Sequence, residues 1–338
     1  MSGRLLTVRT CVLSALVVAA WSGTATTQQQ PFRSGVDVVE LPVAVTSGRT
    51  VVTDLTAQDF EVMDNGVRQK VLSVSRELLP IDVILVLDTS DSLKPALESA
   101  ILSGANRILE RLRPDDRVSL VTFNDRIQEQ LPLVGPADAG RIALGPNSGQ
   151  TSLNDAIGVA LATRPVADRR QMGIVFTDGY DSTSLLSEAD VMVLAGRSRT
   201  ALFLVSQSPG FGDKESLPVL PPGSLAPPQY PTAFFERLAA ATGGLAQLVP
   251  RTTTSSGTVA GAKPVSGFGT GSAAGVSVRA NPNLLDEPFL KALDDFRASY
   301  VVRYALTGVP RPGWHTVGVK VIKSGKSYTI RTRSGYSG

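Results

Sequence analysis

Between residues 88 and 92 the chain sets down five oxygen-bearing side chains in a row, Asp88-Thr89-Ser90-Asp91-Ser92. Asp88, Ser90 and Ser92 stand at i, i+2 and i+4, so a loop there can turn all three toward one point. A carboxylate and two hydroxyls are hard oxygen donors, the kind a hard divalent cation prefers while it keeps part of its water. Two further segments carry donors of the same type. "GQTSLNDA" places Thr151 at a loop-to-helix transition, and "VFTDGYD" places Asp178 at the end of an apolar run. Asp88, Ser90, Ser92, Thr151 and Asp178 together offer two carboxylates and three hydroxyls. Two carboxylates neutralise a dication formally, and so few anionic ligands leave it electrophilic toward an outside carboxylate. Taken alone, D-x-S-x-S has a plainer reading as a helix start, since Asp and Ser cap helices well.

Such a set works only if three distant segments reach one edge of a fold. "IDVILVLD" (81–88) is continuously apolar and predicts a buried strand, which a carboxylate can leave only at its C-terminal end. A segment with Leu93, Leu97, Ala100, Ile101, Ile108 and Leu112 at helical spacing follows. Strand-type runs at 116–123, 172–178 and 200–206 then alternate with helical segments at 151–163, 187–199 and 232–244. Alternating strands and helices predict an α/β fold with a doubly wound, mostly parallel sheet covered on both faces. Ligands of such sheets gather at the carboxyl ends of the strands. Residues 36–80 predict a small antiparallel β segment, with Asn65-Gly66 as a tight hairpin turn. Residues 81–250 form the α/β domain, 251–283 a flexible Gly/Ser-rich insert, and 284–338 a helix and β strands packing with the N-terminal segment. The last two strands are joined by a turn around Lys323-Ser324-Gly325.

The order D-x-S-x-S, then a distant threonine, then T-D-G resembles the metal-ion-dependent adhesion site (MIDAS) of von Willebrand factor type A (VWA) domains. The flanks, "LTAQDFEVMDNG" before and "YVVRYAL…GWHTVGVKV…YTIRTRSGY" after, are similar to those of bacterial exported proteins with a VWFA-related domain. The resemblance implies that Ser90 and Ser92 bind a metal directly and that Thr151 binds directly or through water. Asp88 and Asp178 would act largely through water. Asp91 and Gln150 depart from glycines common at those places. The implied ion is Mg²⁺, with Mn²⁺ or Ca²⁺ as alternatives, and its open position would capture an Asp or Glu of a partner protein. A metal-dependent phosphate-ester hydrolase and a structural module stapled by its metal remain as alternative functions. Asp181 reads as an exposed loop carboxylate.

Composition limits the other choices. Residues 1–27 have a basic start at Arg4 and Arg9, the apolar "CVLSALVVAAW" and small residues, the pattern of a secretory signal, with an uncleaved anchor as the alternative. Export to the periplasm or outside follows, with no membrane span once the signal is removed. The chain's net charge of +3 would fall to +1 without those two arginines, which gives no electrostatic case for nucleic acid. The only cysteine, Cys11, lies in that segment, so the exported chain has neither disulfides nor thiolate ligands. The only histidine, His315, falls beside Trp314 in a C-terminal strand, far from the serine-rich loop, and reads as a surface or packing residue. No phosphate-binding glycine loop follows any strand.

Overall fold

The computed structural model describes residues 37–76, 79–93, 95–179, 181–207, 232–249 and 285–338. The signal-like segment, residues 208–231 of the proline-rich stretch and the Gly/Ser-rich insert lie outside the described residues.

The chain enters through β1 (Val38–Ser47), β2 (Thr50–Val51), β3 (Phe60–Asp64) and β4 (Val67–Ser75). Asn65 and Gly66 link β3 to β4 with φ of 46° and 79°. Two consecutive positive φ values are what a two-residue hairpin matched to strand twist requires, and Asn-Gly tolerates them. Then come β5 (Ile81–Asp88), α1 (Pro95–Arg111), β6 (Arg117–Phe123), β7 (Ile127–Val134), α2 (Pro136–Ala139) and α3 (Leu153–Ala162). They are followed by β8 (Arg170–Thr177), α4 (Glu188–Arg197), β9 (Ala201–Gln207), α5 (Thr232–Thr242) and β10 (Leu245–Val249).

These strands form a six-stranded sheet in the order β10-β9-β8-β5-β6-β7. Every residue of β5 and β8 is buried, because helices cover both faces. Side chains alternate along β5: Ile81, Val83, Leu85 and Leu87 join one core, Ile84 and Val86 the other. The first core is roofed by α1, the second by α3, α4 and α5. β5 lies between β6 and β8, both parallel to it, so successive connections leave it to opposite sides. In such sheets ligands gather where the connections reverse, at the strands' carboxyl ends. β7 adds an antiparallel edge that the sequence pattern did not predict. Its residues are exposed or half-buried, so it lacks the apolar run that marks the inner strands.

The chain ends with α6 (Asp286–Ala298), β11 (Tyr300–Ala305), β12 (Trp314–Val321), β13 (Thr329–Thr332) and β14 (Gly335–Ser337). The sequence pattern grouped the helix with the terminal strands. In the fold, Phe289, Leu293 and Phe296 of α6 instead join α1 in the core of the parallel sheet. Gly104 permits this, since a Cβ there would lie 2.9 Å from the Phe289 ring. β11 pairs antiparallel with both β1 and β4, so residues 81–298 interrupt a second sheet ordered β13-β1-β11-β4-β3-β12-β14. The turn at Lys323–Gly325 does not make β12 and β13 partners: β12 pairs with β3 and β14, and β13 pairs with β1. Only Arg333 and Ser334 separate β13 from β14, the two ends of that sheet order. Two linking residues span about 10 Å, so the sheet curls until its edges nearly meet.

Candidate metal centre

Asp88 closes β5 and is wholly buried, as is Ser90. A carboxylate in that position must be satisfied by neighbours. Asp88 Oδ1 accepts from the Ser90 amide at 2.9 Å and the Ser90 hydroxyl at 2.6 Å. Asp88 Oδ2 accepts from Thr177 Oγ1 at 2.8 Å, across to the end of β8. Ser90 Oγ lies 2.9 Å from Ser92 Oγ, so the three residues at i, i+2 and i+4 do converge. Burial, followed by the charge of Asp178, pushes Asp88 up to about 6 against the hydrogen bonds that pull it down. Asp178 follows β8 directly, and its buried Oδ1 has no hydrogen-bond partner among the described residues. Asp178 is therefore close enough for its charge to act on Asp88, and one of its own oxygens is left unpartnered.

Thr151 is buried at the start of α3 and is held from another direction. Its amide donates to Ser182 Oγ at 2.9 Å, and its carbonyl accepts from the amides of Ser182 at 2.8 Å and Thr183 at 3.2 Å. The segment before it is tied to the serine loop: Gly149 N donates to Asp91 Oδ2 at 3.0 Å, and Asp91 N donates to Gly149 O at 3.0 Å. The residues after β5, the residues before α3 and the residues after β8 are therefore laced together at the carboxyl edge of the sheet. Gly149 has φ +74°, and a Cβ there would sit 2.5 Å from Asp125 Oδ1. The loop's need for glycine is met one residue before Gln150.

Pattern reading missed three contributors. Thr177 bridges Asp88 to the Gly179 amide at 3.0 Å, and its signal was its place inside T-D-G. Asp91 replaces a glycine yet joins two loops, and Ser182 fixes Thr151, with no local signal for either. Asp181 is exposed and serves α3 instead, accepting from Asn154 N at 3.1 Å and Ser184 Oγ at 2.5 Å. His315 is far from surface character: it is wholly buried in the second sheet, 2.7 Å from Asp64. Among the described residues no three His, Cys, Asp or Glu side chains form a group fit to hold an ion, so a cation here depends on hydroxyls as much as on carboxylates.

A doubly wound, mostly parallel sheet with oxygen-bearing side chains from three loops at its carboxyl edge has a Rossmann-like architecture. Residues 82–220 match the von Willebrand factor type A domain, and the chain carries such a domain over that span. An uncharacterized protein of Synechocystis sp. is 28% identical over 148 residues, which cover 42% of this chain and 34% of that one, so the chain spans about a third of that relative. The ArnB paralog VWA2 of Sulfolobus acidocaldarius is similar in structure at 16% identity, over 63% of this chain and 51% of that one, with a TM-score of 0.41. Proximal thread matrix protein 1 of the mussel byssus, in a form with a zinc-occupied MIDAS motif, is 22% identical over 40% of this chain and 38% of that one, with a TM-score of 0.35.

Proposed function

We propose that Asp88, Ser90, Ser92, Thr151 and Asp178 hold one divalent cation, Mg²⁺ in the first place and Mn²⁺ or Ca²⁺ in the second, and that the protein uses it to capture a partner protein through an Asp or Glu carboxylate. The observation that carries the reading is the buried, unpartnered Oδ1 of the half-buried Asp178, whose charge acts on the wholly buried Asp88. Two neighbouring carboxylates repel, and a buried acceptor left without a donor costs about 1–3 kcal/mol. A dication would relieve both at once. Ser90, Ser92 and Thr151 would supply neutral oxygens, so the ion keeps enough charge to attract another carboxylate. When bound, the ion would act as a bridge between two proteins and not as a catalyst. The wholly buried His315 has both ring nitrogens engaged, at Asp64 and at the Arg311 carbonyl, and is not available as a base beside the serine loop.

VWA domains are in general interaction modules, which supports a binding role over turnover. Export and the periplasmic or extracellular setting belong to the same proposal; among the described residues no helix is long and apolar enough to cross a membrane. The test is capture of a partner by the purified protein in Mg²⁺, in chelator, and with Ser90→Ala. Capture lost in chelator and in the variant is expected. Capture that survives chelation overturns the proposal.

A further inference from the structure

A cavity of about 660 Å³ opens between the two layers. Its walls include residues 165–171 at and before the start of β8, Gly196 and Arg197 at the end of α4, Arg199 just after it, and parts of β1, β11 and β14. Arg170 and Thr177 are the two ends of β8, and seven steps of about 3.3 Å set the cavity roughly 20 Å from the metal loops. Seven arginines line it against three acids, a surplus of +4, while the whole chain nets only +3.

Some of this charge is spent locally. Arg169 pairs with Asp82 at 2.7 Å, Arg303 with Glu40 at 2.6 Å and Arg311 with Asp37 at 3.0 Å. Arg170 donates to Ser299 Oγ and lies over the Phe296 ring. Arg197, Arg199 and Arg333 are different: none has a carboxylate within ion-pair distance among the described residues. Arg333 is 8% exposed, and its Nε and Nη2 reach only the carbonyls of Gly335, Ala195 and Gly196. Burial, with Arg199 beside it, lowers its pKa to about 10. The carbonyls at the end of α4 explain why one guanidinium sits there. They do not explain why Arg197 and Arg199 gather beside it, where like charges repel.

We propose that this cavity binds a small multivalent oxyanion, a molecule with two or more phosphate or carboxylate groups, and that Arg197, Arg199 and Arg333 are its recognition residues. The volume lies within the range of small-molecule sites, about 300–1,000 Å³. Guanidinium forks match phosphate and carboxylate oxygens in pairs, and cleft walls of low dielectric concentrate the field of one sign. Pro165, Val166 and Val301 add apolar surface to its walls, which suits an organic body that carries the anionic groups.

The experiment is calorimetric titration of the whole protein with inorganic pyrophosphate and, separately, with citrate, in buffer holding chelator so that neither probe acts through the metal loops. Saturable binding at one site is expected, weakened about tenfold or more by Arg199→Ala, whose exposed side chain makes no hydrogen bond or ion pair among the described residues. Ser90→Ala should leave it unchanged, which separates this site from the metal reading. Arg333→Lys keeps a charge but loses the fork, and should weaken binding in the same direction. Preference for pyrophosphate or citrate tells phosphate from carboxylate ligands. Absence of saturable binding for both probes, or full affinity in an Arg197→Ala, Arg199→Ala double variant, overturns the proposal.

Discussion

Replacing Asp64 by Asn tests whether the second sheet is held by a buried ion pair. Asp64 and His315 are both wholly buried, on adjacent strands β3 and β12. Three donors converge on the carboxylate: His315 Nδ1 at 2.7 Å, Tyr304 OH at 2.5 Å and Tyr336 OH at 2.9 Å. The other ring nitrogen of His315, Nε2, faces the Arg311 carbonyl at 2.9 Å. A carbonyl and a carboxylate both only accept, so both ring nitrogens carry protons and the ring is an imidazolium. Burial opposes that charge, but the Arg311 carbonyl and the Asp64 carboxylate outweigh it and raise the pKa of His315. The Tyr336 ring stacks on the imidazole, centroids 4.6 Å apart, and shields it further. Removing one partner of such a pair leaves the other charge buried and unmatched, a loss of about 3–5 kcal/mol. An amide NH₂ in place of one oxygen must also face either the imidazolium or the two phenols. Urea unfolding followed by Trp314 fluorescence should show this loss in Asp64→Asn. His315 is the only histidine, so in protein without an affinity tag one ring resonance reports its titration. In the native chain that titration lies above the ordinary value of about 6.5. The stabilisation is therefore complete below the unfolded-state value and is lost as pH rises through the raised one. In Asp64→Asn the pKa should fall, because burial is then opposed only by the Arg311 carbonyl. A loss under about 1 kcal/mol, or an unmoved His315 titration, would refute the ion-pair account.

Three other outcomes are expected. Saturating Mg²⁺, at about 100 times its dissociation constant, should stabilise the native chain by about 2.7 kcal/mol in thermal melts and should do far less for Ser90→Ala, which loses a hydroxyl bonded to Asp88 and 2.9 Å from Ser92. Gly149→Ala should weaken Mg²⁺ binding measured by calorimetry while far-UV circular dichroism stays native, because the strain at φ +74° falls on the loop joining Asp91 to Thr151. Gly244→Ala should cost at least about 3 kcal/mol by urea unfolding, since its Cβ would lie 1.7 Å from the Leu202 carbonyl oxygen on β9 and backbone cannot yield cheaply.

The parts of the fold that sequence foretold are those set by local pattern. Apolar runs such as 81–88 and 172–178 fixed the inner parallel strands, and Asn65-Gly66 fixed its hairpin, because burial on both faces and turn chemistry leave marks on neighbouring residues. β7 left none, since an edge strand half open to water needs no apolar alternation. Pairing was harder to see. The turn at Lys323–Gly325 looked like a hairpin, yet β12 prefers β3 and β14, a choice made by contacts more than 250 residues apart such as Asp64 with His315. The convergence of Asp88, Ser90 and Ser92 was legible because they lie within five residues at alternate positions of one loop. The residues that hold the loops together, Asp91 on Gly149 and Ser182 on Thr151, were not, since each acts on a segment remote in the chain.

The insertion of the parallel sheet into the second one couples the two layers in a specific way. β11 sits between β1 and β4, so the second sheet cannot close until residues 81–298 have brought β4 and β11 together. Contacts this distant carry a high loop-closure cost unless the intervening chain is already compact. The parallel sheet meets that condition, since β5, β6 and β8 pair side by side under α1 and α3 and make the intervening chain compact, and Arg333 and Ser334 then dock the closed second sheet onto α4 and α5 through the carbonyls of Ala195, Gly196 and Ala240. The docking uses the amino-edge side of the parallel sheet and leaves its carboxyl edge, with Asp88, Ser90, Thr151 and Asp178, clear of the second layer. The edge that carries the proposed metal loops is thus opposite the edge that docks the second sheet. That separation is why substitutions at Asp64 should act on stability and substitutions at Ser90 on metal, with little exchange between the two.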